Sequence, residues 1–212
     1  MNGIIAIVLT ALEGYLLGSF CFGIITTKLL RQKDIRDFGS GNAGMTNVLR
    51  SIDVPCGVLT GLGDFAKGVA AILIGRALFS AAGLESSYGT MLAAAFVLVG
   101  HILPLYFGFR GGKGVMTTAG IMLVVNWRVM VILLVVFGTV FALSKIISLA
   151  SITVAALLPV AMFLVCFFSG TEWLVHTIFA FAIGALIIFN HRSNIKRLLA
   201  GSESKLVVNK KK

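Results

Sequence analysis

The stretch VMTTAGIMLVVNWRVMVILLVVFGTVFAL, Val115 to Leu143, decides the fold, because it reads either as one long tilted helix or as two short helices broken at Asn126-Trp127-Arg128. The other apolar runs are unambiguous: Ile4 to Thr27, Gly57 to Phe79, Tyr88 to Phe107, Ile146 to Phe168 and Trp173 to Phe189. Each approaches the roughly 20 residues that a hydrocarbon core about 30 Å thick requires. Charge resolves the ambiguous stretch. Lys and Arg gather between Lys28 and Arg50, at Arg110 and Lys113, at Lys145, and from Arg192 to Lys212, and short basic loops stay cytoplasmic. A single helix over Val115 to Leu143 would put the first basic loop and the basic tail on opposite faces. Two helices bring all four clusters to one face and leave Arg76, Arg128, Glu85 and Glu172 near the other.

The expected fold is therefore an all-α polytopic membrane protein of seven transmembrane helices, with its N-terminus outside and its C-terminus cytoplasmic. It forms one domain over residues 1–212, with cytoplasmic loops at about 31–55 and 109–114 and a basic tail at about 191–212. The fourth and fifth spans have apolar runs of only about 11 and 15 residues, a shortfall that tilt or local bilayer thinning accommodates. Composition agrees: 58% apolar and 12% charged residues, with a mean hydropathy of +1.01, exclude an ordinary soluble domain. The net charge of +10 lies mostly in the loops and tail, so it reads as topology and anionic lipid contact, not as nucleic-acid binding. Met1-Asn2-Gly3 lacks the basic start of a cleavable signal, and the first helix is expected to stay. Cys21, Cys56 and Cys166 are odd in number and widely spaced, which suits small buried hydrophobes and indicates neither a disulfide framework nor a metal site.

Two glycine-rich loops carry the chemistry. In Gly39-Ser40-Gly41-Asn42-Ala43-Gly44-Met45-Thr46-Asn47, closing on Arg50, hydrogen-bonding side chains alternate with bare backbone whose N–H groups are suited to an anion-binding nest. A flexible linker would have no reason to order Asn42, Thr46, Asn47 and Arg50 in this way. In Arg110-Gly111-Gly112-Lys113-Gly114, bare amides and a lysine stand at the start of the short fourth span, whose dipole adds positive charge. The likeness to a nucleotide P-loop is superficial, since Phe107 and Gly114 occupy positions that the motif reserves for Gly and Ser or Thr.

Asp64 and Lys67 lie three apart inside the second span, on one helix face, as an interior pair. His101 is a lone histidine in an apolar run and reads as structural. His191 opens Asn190-His191-Arg192-Ser193-Asn194-Ile195-Lys196-Arg197, with Gly201 and Glu203 beyond, on the same face as both loops. This segment also reads as a basic amphipathic helix, with Ile195, Leu198 and Leu199 as its apolar stripe. Glu13 and His176 are single polar residues without an evident role.

In order, these residues resemble a family: the bacterial acyl-phosphate-dependent glycerol-3-phosphate 1-O-acyltransferases, the PlsY type. The likeness runs almost end to end, through Gly39 to Arg50, Gly63-Asp64-Phe65-Ala66-Lys67-Gly68, Gly100-His101 to Gly114, Ser148-Leu149-Ala150-Ser151-Ile152, and His191 to Arg197 with Gly201 and Glu203. After Gly18-Ser19 the family often has an apolar residue and then Pro, where this chain has Phe20-Cys21, a difference that bears on the shape of the first helix. The resemblance implies transfer of a fatty acyl group from acyl phosphate to the 1-hydroxyl of glycerol 3-phosphate, giving lysophosphatidic acid and inorganic phosphate. It implies no cofactor and no metal, a bacterial cytoplasmic membrane with the site facing the cytoplasm, and contact with the soluble enzyme that makes acyl phosphate.

Under this reading Ser40, Asn42, Lys113, His191 and Asn194 are catalytic. Gly41, Gly44, Thr46, Asn47, Arg50, Lys67, Gly111, Gly112, Ser148 and Ser151 bind substrate or phosphate, and Asp64, His101, Arg197 and Glu203 support them. An acyl phosphate is a mixed anhydride with a good leaving group, so holding and orienting suffice without a protein nucleophile. The acyltransferase pattern of His followed four residues later by Asp is absent, which disfavours acyl-CoA or acyl carrier protein as donor by that route. A phosphate transporter would call for an internal repeat and midplane sites, and a scaffold would not need such particular polar residues.

Overall fold

The computed structural model describes residues 1–206. Among them every regular element is helical: α1 Gly3–Gly18, α2 Phe22–Arg31, α3 Met45–Ser51, α4 Val54–Ala81, α5 Ser86–Ile102, α6 Val115–Val125, α7 Trp127–Ser144, α8 Ile147–Phe168, α9 Trp173–Asn190 and α10 Arg192–Leu199. Six segments are long and apolar enough to cross a membrane: Gly3–Arg31, Val54–Ala81, Ser86–Phe107, Trp127–Ser144, Ile147–Phe168 and Trp173–Asn190. Val115–Val125 is a shorter apolar helix. The chain divides into two compact units, Met1–Val125 and Asn126 onward.

The deciding stretch is two helices, as charge parity required. The break is tighter than expected. Asn126 alone leaves the helical conformation, and its side-chain oxygen accepts from the Val129 amide at 3.3 Å, so Trp127 already belongs to α7. With its start moved back, α7 has 18 residues and not about 15. The first span departs from expectation in the other direction, because Ile4 to Thr27 is not one helix. Ser19 turns its hydroxyl back onto the Tyr15 carbonyl at 2.8 Å, and Cys21 adopts an extended conformation, which separates α1 from α2. Carbonyls freed at such a break need donors where no water reaches. Lys67 supplies them, bonding Gly18 O at 3.0 Å and Phe20 O at 2.8 Å.

Within Met1–Val125, α1 lies along α5 through its small buried positions Ala6, Thr10, Gly14 and Gly18. A Cβ on Gly18 would stand 2.3 Å from the Val97 carbonyl oxygen, so that backbone approach is open to glycine alone. Lipid tails are as apolar as leucine, and such close backbone contact substitutes for a hydrophobic drive. Within the second unit α8 packs against both α7 and α9. Cys21, Cys56 and Cys166 are unbridged and buried, as small hydrophobes.

Candidate active site

The first glycine loop is fastened by one buried side chain. Asn47, in the first turn of α3, accepts from the Ser40 amide at 3.0 Å and donates to Phe38 O at 2.9 Å and Asn42 O at 3.0 Å. Ser51 Oγ donates to the same Asn47 oxygen at 3.3 Å. The Gly41 amide bonds Phe38 O at 3.0 Å, and the Gly44 amide bonds Asn42 Oδ1 at 3.0 Å. The amides of Ser40, Gly41 and Gly44 thus close the loop, with Asn47 as its internal clasp. What faces outward is the exposed Ser40 and, one turn apart on the same face of α3, Thr46 and Arg50.

Arg36, which sequence reasoning passed over, joins this loop to the second. Its guanidinium holds Asp34 in a fork, Nε to Oδ1 at 3.0 Å and Nη2 to Oδ2 at 2.8 Å, while Nη1 donates to Phe107 O at 2.7 Å. The Arg36 hydrogen bond holds the Asp34 carboxyl well below the usual carboxylate range. Its sequence signal was only an Asp-x-Arg spacing, common on any surface. In the second loop the Gly111 and Gly112 amides return to the end of α5, bonding Ile102 O at 3.2 Å and His101 O at 3.1 Å. Gly112 lies flat against the His101 ring: a Cβ there would stand 2.2 Å from Nε2. These two amides are therefore engaged as well, and Lys113 and the first turn of α6 follow them. That turn carries two threonines that sequence reasoning missed. Thr117 and Thr118 are buried with hydroxyl oxygens that have no hydrogen-bond partner among the described residues.

Under the loops sits an ionic cluster inside the protein. Lys67 Nζ is 2.8 Å from Asp64 Oδ1, and His101 Nδ1 lies 3.5 Å from the same oxygen, a close electrostatic contact at the edge of hydrogen bonding. Lys67 donates two hydrogen bonds, to Gly18 O and Phe20 O, and pairs electrostatically with Asp64. Lys67, expected among the phosphate-binding residues, thus lies buried beside Asp64 and His101.

In the second unit the tail folds back on α10 and builds a clamp around Glu203. Its Oε1 accepts from Ser148 Oγ and from Asn194 Nδ2, each at 2.7 Å, and Oε2 accepts from Arg197 Nε at 2.6 Å. Burial alone would raise the Glu203 pKa, but the Ser148, Asn194 and Arg197 hydrogen bonds outweigh it and lower the value. Ser148 and Asn194, expected at the substrate, thus each have a bond to this clamp, and Ser151 is buried one turn further along α8. His191 is buried at the α9–α10 junction with Nδ1 2.8 Å from Ile187 O. A carbonyl only accepts, so Nδ1 carries the proton, and in the neutral ring the lone pair is on Nε2.

Comparison with known proteins bears on this arrangement. A family model described as glycerol-3-phosphate acyltransferase matches residues 8–201. The chain is 41% identical over 203 residues to a glycerol-3-phosphate acyltransferase of Clostridioides difficile, covering 96% of this chain and 97% of that one. It is also 41% identical over 192 residues to the enzyme of Neisseria meningitidis serogroup B, covering 91% and 93%. Two crystal structures of PlsY, an integral membrane glycerol 3-phosphate acyltransferase, are similar at 36% identity, covering 95% of this chain and 96% of theirs. The glycerol 3-phosphate form superposes with a TM-score of 0.80 and the lysophosphatidic acid form with 0.78.

Proposed function

Because the chain belongs to the glycerol-3-phosphate acyltransferase family, we propose that it moves a fatty acyl group from acyl phosphate to the 1-hydroxyl of glycerol 3-phosphate at the cytoplasmic face of a bacterial membrane. It is an acyltransferase of an integral membrane family. The observation that carries the finer reading is the first turn of α6, where Lys113 precedes helix amides and two buried threonine hydroxyls without hydrogen-bond partners among the described residues. A phosphate is the ligand that matches such a turn. A second phosphate suits Arg50 with Thr46, Ser40 and the amide donors of Asn42.

The substrate hydroxyl attacks the acyl carbonyl carbon, and its proton passes to His191 Nε2 or to the departing phosphate. The tetrahedral intermediate then expels inorganic phosphate and leaves the ester, lysophosphatidic acid. Asn194, Ser148 and Ser151 serve to position His191 and the hydroxyl, and the acyl chain lies along apolar helix faces. The N-terminus is outside and the basic loops inside, so that soluble acyl phosphate synthesis can feed the reaction.

Purified protein in detergent, offered glycerol 3-phosphate with acyl phosphate, acyl-CoA or acyl carrier protein, tests the donor. Lysophosphatidic acid is expected with acyl phosphate alone; product from acyl-CoA and not from acyl phosphate overturns the assignment. As a general base His191 contributes roughly 10²- to 10⁴-fold, so His191→Ala should lower kcat within that range. Near-normal turnover removes His191 from the role.

A further inference from the structure

The helix α10 has an inner face that the site uses and an outer face that it does not. Asn194 and Arg197 turn toward Glu203. Arg192 and Lys196 are exposed on the other side, and Leu199 is 85% exposed between them and Lys205. The one acid in residues 191–206 is Glu203, which is buried and held by three donors, so the outward charge is uniformly positive. The same sign continues at Lys145, whose carbonyl accepts from the Leu206 amide at 2.8 Å, which draws Lys205 to the α7–α8 turn beside the 84% exposed Leu143.

Connectivity places this face at the membrane boundary. The span α9 ends at Asn190 and α10 begins at Arg192, and eight helical residues rise only about 12 Å. Phe189, in the last turn of α9, is 62% exposed and has the Arg192 guanidinium 4.7 Å from its ring. Aromatic and leucine side chains flanked by cations, tethered within a helix length of the headgroups, match an interfacial helix. The bilayer is always within reach of this face, whereas a soluble partner must be recruited to it.

We propose that the outer face of α10, with Lys205 and Lys145, docks on anionic lipid headgroups, Leu199 and Phe189 entering the interface, and thereby ties the placement of His191 and Asn194 to the negative charge of the bilayer. The docking holds whichever acyl donor the enzyme uses. A Leu199→Cys protein carrying an environment-sensitive fluorophore, the native cysteines being buried, is placed in nanodiscs of phosphatidylcholine with and without phosphatidylglycerol. The emission should shift to the blue only with phosphatidylglycerol and return on adding salt. Each cation removed should lower the docking equilibrium constant, docked over undocked, about fivefold. Arg192→Gln/Lys196→Gln should keep its turnover in phosphatidylcholine discs and lose the response to phosphatidylglycerol; if it does not fold, Lys145→Gln/Lys205→Gln makes the same test. Equal emission in both lipids overturns the proposal, and a shift produced by a polyglutamate peptide but not by phosphatidylglycerol reassigns the face to an acidic protein.

Discussion

Each unit buries one carboxylate among partners, and the two are built in opposite ways. Asp64 and Lys67 sit three residues apart on α4, with side chains 2% and 4% exposed. Glu203 collects its partners from Arg197, Asn194 and Ser148, which are 6, 9 and 55 residues away in sequence, and Arg197 remains 40% exposed. The first pair lies in a span, where each charge exists only because the other neutralises it. The second is a clasp at the edge of the protein that holds a chain segment in place. One is an internal pin for helices, the other a removable staple for the tail.

The sharpest way to break the comparison is to remove one partner from each. Asp64→Ala leaves Lys67 charged and buried and should destabilise by about 3–5 kcal/mol, seen as loss of monodisperse protein on extraction. Asp64→Leu/Lys67→Met should recover part of this and not all, because Gly18 O and Phe20 O would still lack donors. If the double variant is as stable as the parent, the carbonyl contacts contribute nothing. Gly112→Ala forces a Cβ onto the His101 ring and should displace Lys113. A shift of about 1 Å can cost on the order of 10²-fold in activity, measured as kcat with membrane insertion unchanged.

Glu203→Gln should be milder, about 1–3 kcal/mol, read as a lower Tm in protein that still folds, with reduced turnover as the α10 segment loosens. The same residue predicts the smallest effect, a pH dependence. The folded Glu203 pKa lies below its unfolded value, so its contribution is fully present above the ordinary Glu value near ~4.3 and fades as pH falls through the lowered folded value. The Tm difference between parent and Glu203→Gln should be flat from neutral pH down to about 5 and shrink below that. A difference that shrinks toward alkaline pH contradicts the clamp.

The same contrast separates what could be read from the chain alone. The apolar helices and the break inside Val115 to Leu143 were legible because hydropathy and loop charge are additive along a sequence, and the Asp64–Lys67 pair was legible because helical spacing fixes which residues share a face. The break at Ser19 to Cys21 was not, since Gly18 and Gly23 there lie inside a continuous apolar run, no Pro stands between them, and its carbonyls are satisfied from α4. The glycine loops stood out in the sequence, but the partners of their amides did not: whether a loop N–H stays open or closes on Phe38 or His101 depends on how the loop folds over its neighbours. Residues 207–212 of the basic tail lie outside the described residues.

By itself the sequence determined an all-helical membrane acyltransferase, its loops and its chemical residue types, because these follow from composition, period and order. Tertiary structure alone decided that Asn47 and Lys67 are internal fasteners, that Arg36 links the two loops, that Thr117 and Thr118 keep hydroxyls without partners among the described residues, and that Glu203 gathers the tail. Hydrogen bonds between distant residues are satisfied in three dimensions, and no local pattern states which donor reaches which acceptor.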